Sequence, residues 1–221
     1  MYKILKFSWE DRHKHYWVSD LHTNHDPNWP VPIWKSRGYS SADECREHQL
    51  EEINSRVSED SILWNLGDNF LNSTDDQVIE WYSKIKCKNV YYLFGNHESV
   101  LYRLYKNMVK ESFGIDQEIY PFNGKLLPNI HFLGNHQEIL IGKKQIIMNH
   151  FPLRIWHKDS RSSWMLSGHS HLMDIGRRPE SPIQKGLDCG WDYKKSVWSF
   201  SEIEDVMSTK SVKILDHDRD H

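Results

Sequence analysis

Short apolar strands alternate with amphipathic helices in the first half of the chain, and this order limits the folds that the sequence can adopt. The predicted strands are HYWVSDLH, SILWNLGDN and NVYYLFGNH, each an apolar run that ends in polar residues. The predicted helices between them are SSADECREHQLEEINSRV and STDDQVIEWYSKIK, which both begin with a capping Ser or Thr. This β, α, β, α, β order predicts right-handed crossovers and a largely parallel sheet that is covered by helices.

The pattern changes after a further predicted helix, SVLYRLYKNMVKESF. Four short strands follow without a long helix between them: NIHFLGN, QEILIG, KKQIIMNHF and SSWMLSGHS. Their Gly, Asn and Lys turns are typical of antiparallel pairs, so the second half predicts another sheet. A chain of 221 residues without repeats or a linker is expected to form a single domain over 1–221. Residues 210–221, which end in DHDRDH, are predicted to be a flexible tail.

The charge and cysteine content of the chain indicate its cellular compartment and the classes of partner that it can bind. The net charge of −3 argues against a broad basic surface for nucleic acid, although a local basic groove is compatible with it. The N-terminus lacks the apolar stretch of a signal peptide, and no run approaches the roughly 18 apolar residues of a membrane span. Three widely spaced cysteines indicate reduced thiols. We expect a cytoplasmic protein that does not associate with membranes, and the sequence does not predict its oligomeric state.

Polar residues collect where the predicted strands end. Asp20 and His22 follow the first strand, Asp68 and Asn69 the second, Asn96 and His97 the third, His150 follows QIIMN, and His169 and His171 follow WMLSG. Ligands bind at this edge of open α/β sheets because the loops converge there. Carboxylate, imidazole and amide oxygen suit Mn, Fe, Zn or Ni, and two such ions about 3.5 to 4 Å apart can drive displacement at phosphorus. The pattern predicts phosphate-ester hydrolysis.

Five motifs in this order resemble the calcineurin-like metallophosphoesterases. DLH, GDN, GNHE, NH and GHSH match that family's pattern of DxH, GDxx, GNH[DE], a lone H and GHxH. DLHTNH, RGYSS, NHFP and KGLDCGWDY are similar to marks of its small bacterial and phage members. The resemblance spans about Val18 to Asp192. It implies a metallophosphatase fold, which is a four-layer α/β/β/α sandwich of two mixed β-sheets flanked by helices.

The resemblance also implies a role for each polar residue. One metal would be held by Asp20, His22 and His171, the other by Asn96, His150 and His169, and Asp68 would bridge the two. His97 matches a non-ligand histidine beside the leaving group and is the predicted catalytic residue, with an ordinary hydrogen-bonded role as the alternative. The cofactors are two divalent transition-metal ions, with manganese preferred over iron, zinc and nickel. The plainer alternative for the whole ligand set is loop capping and turn chemistry.

Three further residues are candidates for substrate binding. Arg37 has a guanidinium that suits a phosphate, but it could instead pair with an acidic residue. His25 could orient a ligand, touch phosphate or be an ordinary loop histidine. Arg154 lies four residues after His150 and could reach the substrate from there.

The predicted function is a dinuclear metal-dependent phosphoesterase that hydrolyses a small phosphodiester or nucleotide through attack of metal-bound hydroxide on phosphorus. GDNFLNS lacks the arginine of the GDxxDRG motif, which argues against the protein Ser/Thr phosphatase branch. One alternative is a nuclease acting on DNA or RNA, which needs a basic groove beside the metals. Another is a non-catalytic binding scaffold, which should lack a ligand or the acid, whereas this sequence lacks none.

Overall fold

The chain forms two five-stranded mixed sheets that are flanked by helices, as predicted. A computed structural model describes residues 4–25, 28 and 30–212. The strands in chain order are β1 Leu5–Phe7, β2 His15–Val18, β3 Ile62–Asn65, β4 Asn89–Tyr92, β5 Ile130–Phe132, β6 His136–Ile141, β7 Lys144–Asn149, β8 Trp164–Ser167, β9 Gly186–Asp188 and β10 Trp198–Ser199. The α-helices are α1 Ile33–Ser36, α2 Ala42–Arg56, α3 Asp75–Lys84, α4 Ser99–Phe113 and α5 Phe200–Thr209.

The first sheet has the order β10-β2-β3-β4-β5, and its four strands from β2 to β5 are parallel. Helices α2, α3 and α4 pack on one face of it through a large apolar cluster that includes Ile53, Trp81 and Leu104. The caps that the sequence predicts are present. The Ser41 side chain accepts from the Glu44 backbone N–H, and Thr74 forms a capping box at the start of α3.

The second sheet has the order β1-β6-β7-β8-β9. A second apolar cluster fills the space between the sheets, with Trp17 and Trp64 from the first sheet against Ile146 and Leu166 from the second. The outer face of the second sheet is covered by a smaller cluster beneath the segment 151–163, which contains a 3-10 helix at Asp159–Arg161. Both faces of each sheet are therefore packed, and burial of this area drives the fold.

The prediction of antiparallel pairs in the second half was largely wrong. Of the four strands predicted there, β6 and β7 pair in that way, whereas β5 joins the first sheet parallel to β4, and β7, β8 and β9 run parallel. The connections 150–163 and 168–185 are long enough for parallel crossovers, which need about a dozen residues or more. They contain 3-10 turns rather than a long helix, so the sequence carries no helical period to reveal the crossover.

The parallel strands of both sheets end at one edge of the molecule. The backbone N–H of Ser19, after β2, donates to the Cys189 carbonyl after β9 at 3.1 Å, and Trp191 N–H donates back to the Ser19 carbonyl at 3.0 Å. These bonds join the carboxyl end of one sheet to that of the other. The loops that carry the predicted ligands consequently converge.

Two sequence expectations concern the ends and surface of the chain. Of the predicted tail, Lys210 is buried and its ammonium donates to the carbonyls of Arg178 and Ser181, while residues 213–221 lie outside the described residues. Within the part of the chain that the structure describes, no helix is both long and apolar enough to cross a membrane.

Candidate metal centre

Five of the seven predicted metal ligands have a left-handed backbone. They are Asp20 (φ 56°), His22 (φ 46°), Asp68 (φ 57°), His169 (φ 67°) and His171 (φ 44°). This conformation is uncommon for residues other than glycine and is costly, so it persists only where the surrounding structure enforces it. Its concentration at these positions turns the chain sharply at the strand ends and marks them as a functional site.

Asp20 and Asp68 are each held by one oxygen, which leaves the other oxygen facing the histidines. The His169 backbone N–H donates to Asp20 Oδ2 at 2.9 Å, and the His97 backbone N–H donates to Asp68 Oδ1 at 2.7 Å. Burial alone would raise the pKa of both carboxyls. The nearby imidazoles of His22 and His150 nevertheless lower the pKa of both carboxyls below its ordinary value. Both groups are therefore carboxylates at neutral pH.

Two glycines allow the loops to approach these carboxylates closely. A Cβ on Gly95, in GNHE, would overlap Asp68 Oδ1, and a Cβ on Gly168, in GHSH, would overlap Ser19 Oγ and Asp20 Oδ2. Any side chain at these positions would push the loops apart. The glycines of two motifs are thus explained by contact with the two carboxylates.

One group of ligand atoms consists of Asp20, His22 and His171. Asp20 Oδ1 lies 3.7 Å from His22 Nε2 and 3.8 Å from His171 Nε2, and the two nitrogens are 3.2 Å apart. Donors about 2.1 Å from a shared ion are separated by roughly 3 to 4 Å, so this spacing fits a divalent cation. Asp20 Oδ1 is buried and has no hydrogen-bond partner among the described residues. A bound cation would offset the cost of burying that negatively charged oxygen without a hydrogen bond.

A second group consists of Asp68, His150 and His169. His150 Nε2 lies 3.2 Å from Asp68 Oδ2 and 3.0 Å from the amide oxygen of Asn96. The same Asp68 oxygen is 4.0 Å from His22 Nε2 in the first group. Asp68 therefore stands between the two groups, where a carboxylate could bridge two ions.

Contacts on the far side of two rings fix which nitrogen faces the centre. His150 Nδ1 is 2.8 Å from the Leu66 carbonyl oxygen, to which it donates, and His171 Nδ1 is 2.7 Å from Asp192 Oδ2. In the neutral imidazole, each contact places the proton on Nδ1 and leaves Nε2 as the unprotonated donor that a metal requires. The donor set of imidazoles, carboxylates and one amide suits borderline divalent ions.

His97 and His25 lie beside these groups. The His97 side chain is exposed, and its ring centroid is 5.7 Å from that of His22. Together with His22, His171 and the buried His25, it lines a cavity of about 480 Å³ whose other walls include Val31, Ile33, Leu71 and Asn72. We call this the apolar cavity.

A second cavity of about 390 Å³, the acidic cavity, adjoins Asn96 and is lined by residues that include Glu98, Tyr102, Glu118, Tyr120 and Asn135.

The two predicted arginines are placed differently from each other. Arg37 is buried, and its guanidinium donates to Asp192 at 2.8 Å and to the backbone carbonyls of Leu21 and Asp20 at 2.7 and 2.6 Å. This placement matches the ion-pair alternative for Arg37. Arg154 is exposed and lines neither cavity, so the structure does not bring it to the ligand groups.

Three acidic residues support the centre without having been predicted. Glu98 accepts from the Asp68 backbone N–H and, at 2.5 Å, from the Tyr92 hydroxyl, and burial raises its pKa to about 8. Asp188 accepts from the Ser170 hydroxyl between the two histidines of GHSH. Asp192 joins His171 to Arg37. The quoted motifs GNHE and KGLDCGWDY contain all three, which is the signal that could have identified them.

Comparisons with known proteins agree with this geometry. The sequence model of the calcineurin-like phosphoesterase family matches residues 13–173, a range that contains all seven predicted ligands. No curated protein matches the chain significantly. The crystal structure of AQ665, a protein of unknown function from Aquifex aeolicus, is similar with a TM-score of 0.56 and 15% sequence identity, covering 87% of this chain and 98% of that chain. This likeness shows the fold alone.

Proposed function

The chain belongs to the calcineurin-like phosphoesterase family, and from this membership we propose that it hydrolyses a small phosphodiester or nucleotide at a dinuclear metal centre. Metal-dependent hydrolysis of phosphoesters is the activity that the family indicates, and two candidate ligand groups are present. The observation that carries the finer proposal is the position of Asp68, with one oxygen 3.2 Å from His150 Nε2 and 4.0 Å from His22 Nε2. We propose Mn²⁺ as the ion, with iron, zinc and nickel compatible with the same donors.

Two divalent ions, when bound, would activate water and neutralise charge on the phosphoryl oxygens. In the hydrolysis, the oxygen of water bonds to phosphorus and its proton passes to solvent, the bond from phosphorus to the leaving oxygen breaks, and that oxygen departs as an alcohol. His97 supplies the proton that the leaving oxygen takes up. Its backbone N–H is bound to Asp68, which fixes its position beside the ligands while its ring faces the apolar cavity. His25, on the same cavity, is proposed to contact the substrate.

The rival functions are supported less well. A nuclease needs basic side chains along its groove, whereas the two cavities beside the ligands contain no lysine or arginine among their described lining residues. A non-catalytic scaffold would not be expected to keep the buried Asp20 Oδ1, which accepts no hydrogen bond from the described residues. We also propose a cytoplasmic location, which the three buried free cysteines support.

Metal content and activity measured together test the proposal. We expect about two transition-metal ions per chain, and hydrolysis of bis(p-nitrophenyl) phosphate that chelation abolishes and Mn²⁺ restores. A protein that loads two ions but hydrolyses no phosphoester would be the scaffold. Activity that persists after exhaustive chelation, with metal content near zero, would remove the dinuclear mechanism.

A further inference from the structure

The two cavities beside the candidate metal centre differ in chemistry. Besides four histidines and Asn72, the apolar cavity is lined by Val31, Ile33 and Leu71, so it suits the body of an uncharged organic group. The acidic cavity presents Glu118 with hydroxyl and amide groups from Tyr102 and Asn135. Each is large enough for one substituent of a small ester, since ligand pockets begin at about 300 Å³. Two separate cavities therefore suit a phosphate that carries two substituents.

Among its described lining residues, neither cavity provides a lysine or arginine for a second phosphate, and the histidines of the apolar cavity lie beside the metal ligands, where the reacting phosphate would be bound. Arg37, the buried arginine next to the ligands, directs its guanidinium to Asp192 and to two backbone carbonyls instead. A second phosphate would have to lie in one of these cavities without the bidentate or charged partner that phosphates usually find in proteins.

The negative charge of the acidic cavity is held in place by neighbouring aromatic residues. The Tyr102 hydroxyl donates to the Glu118 carboxylate. The next residue, Ile119, is fixed from both sides, because its N–H donates to the Tyr105 hydroxyl at 2.8 Å and its carbonyl accepts from that hydroxyl at 3.0 Å. Tyr120 stacks on Tyr105 with ring centroids 5.2 Å apart. Glu118 is consequently a positioned charge on the cavity wall.

We propose that the substrate is a phosphodiester with one phosphate and two uncharged substituents, and that Glu118 selects against substrates with a second phosphate. This proposal rests on the proposed function and narrows its substrate class. The leaving group occupies the apolar cavity, next to His97, and the group that stays on phosphorus occupies the acidic cavity, where its hydroxyls can meet Glu118 and Asn135. Nucleotide anhydrides and nucleic-acid strands, which place further phosphates beside the reacting one, are disfavoured.

Two esters that differ by one phosphate test the proposal on the full-length, Mn²⁺-loaded protein. The first is the p-nitrophenyl ester of thymidine monophosphate, and the second is the same ester with a further phosphate on its free sugar hydroxyl. We expect kcat/KM to be about tenfold higher for the first, which corresponds to charges roughly 10 Å apart in a partly solvated site. This preference should shrink in 1 M salt, where the Debye length falls to about 3 Å.

Variants assign the preference to Glu118. Glu118→Gln should reduce the difference in kcat/KM between the two esters, and Glu118→Lys should reduce it further. The change should come mainly from a lower KM for the doubly phosphorylated ester. Glu111→Lys, an exposed position near the far end of α4, is the control with the same change in net charge. An equal effect of both lysine variants would refute a specific role for Glu118.

The outcomes separate this inference from the proposed function. Equal hydrolysis of the two esters by the wild type, or faster hydrolysis of the doubly phosphorylated one, would overturn the inference while leaving a phosphoesterase. Failure to hydrolyse either ester, together with metal content near zero, would overturn the proposed function itself.

Discussion

The His171 imidazole contacts the Asp192 carboxylate through Nδ1 at 2.7 Å, and its Nε2 faces Asp20 and His22. Burial alone would raise the pKa of Asp192, but hydrogen bonds from His171 and Arg37 hold it well below its ordinary value. The carboxylate thus stays charged and selects the His171 tautomer with a free Nε2. Asp192 is a positioning residue for a candidate metal ligand.

We expect Asp192→Asn to weaken one of the two metal sites. Loss of a partner that orients a ligating histidine typically costs about 10- to 100-fold in metal affinity. Calorimetric titration of metal-free protein with Mn²⁺ should therefore show one ion bound more weakly and the other unchanged. Asp43→Asn, which removes a carboxylate from an exposed pair with Arg46, is the matched control. Wild-type affinity at both sites in Asp192→Asn would contradict the positioning role.

Asp68 is the position where a single change should affect both ions. Asp68→Asn replaces the carboxylate between the two ligand groups by a neutral amide, which is a poor bridge between two cations. His171→Ala should reduce occupancy mainly at one site. Metal analysis of the gel-filtered variants distinguishes the two patterns. Two ions per chain and near-normal turnover in Asp68→Asn would show that the bridging assignment is wrong.

Arg37 should contribute to stability more than to substrate affinity. Its guanidinium is buried against Asp192, and removing one partner of a buried ion pair costs about 3 to 5 kcal/mol. Because Asp192 is partly exposed and keeps His171, we expect Arg37→Ala to lower the free energy of unfolding by about 3 kcal/mol. Urea denaturation measures this loss. Arg103→Ala, which removes an exposed ion pair with Asp75, should cost less than about 1 kcal/mol.

Arg37→Ala also decides between the two roles considered for that residue. A higher KM together with wild-type unfolding and metal content would indicate that the guanidinium binds substrate phosphate. A loss of stability with an unchanged KM would indicate the ion pair.

The features that could be predicted from the sequence are those with a local cause. The segment SVLYRLYKNMVKESF forms α4 over Ser99–Phe113, because its apolar period is that of a helix packed on one side. The predicted ligands lie together because the parallel strands that precede them end at one edge. Strands β1 and β10, with three and two residues, are too short to show an alternating pattern.

The features that could not be predicted depend on contacts between distant parts of the chain. Arg37 and Asp192 are 155 residues apart in sequence, and no local pattern links them. Glu98 directly follows two singled-out residues in GNHE, but its role depends on burial and on the backbone of Asp68, thirty residues earlier. The sheet to which β5 belongs was likewise decided by packing against β4 rather than by the turns around it.

The buried His15 should make stability depend on pH away from the metal centre. It is fully buried and accepts a hydrogen bond from Trp64 Nε1 at 3.0 Å, and burial lowers its pKa from 6.5 to about 4. Between these values the unfolded chain binds a proton that the folded chain does not. His15 therefore contributes stability above pH 6.5 that is lost as pH falls toward 4, with a slope of at most about 1.4 kcal/mol per pH unit.

Comparison with His15→Phe isolates this contribution, because all other titrating groups are shared. The unfolding free energy of the wild type minus that of the variant should decline by about 3 kcal/mol from pH 6.5 to pH 4. A difference that stays constant over this range would show that His15 does not titrate on unfolding.

The role proposed for His97 concerns the leaving group and should be separable from metal binding. Positioned acid catalysis is typically worth about 10² to 10⁴ in rate. His97→Asn should therefore lose about that much kcat/KM with a basic alkoxide leaving group, which departs poorly without a proton. The loss should be much smaller with p-nitrophenolate, which can depart unassisted. The measurement is kcat/KM of wild type and variant across diesters of graded leaving-group acidity, with metal content determined on the same samples. Because the backbone N–H of residue 97, not its ring, binds Asp68, the asparagine variant should keep both ions. An equal loss for every ester, accompanied by loss of metal, would make His97 a residue that supports the metal site rather than the acid.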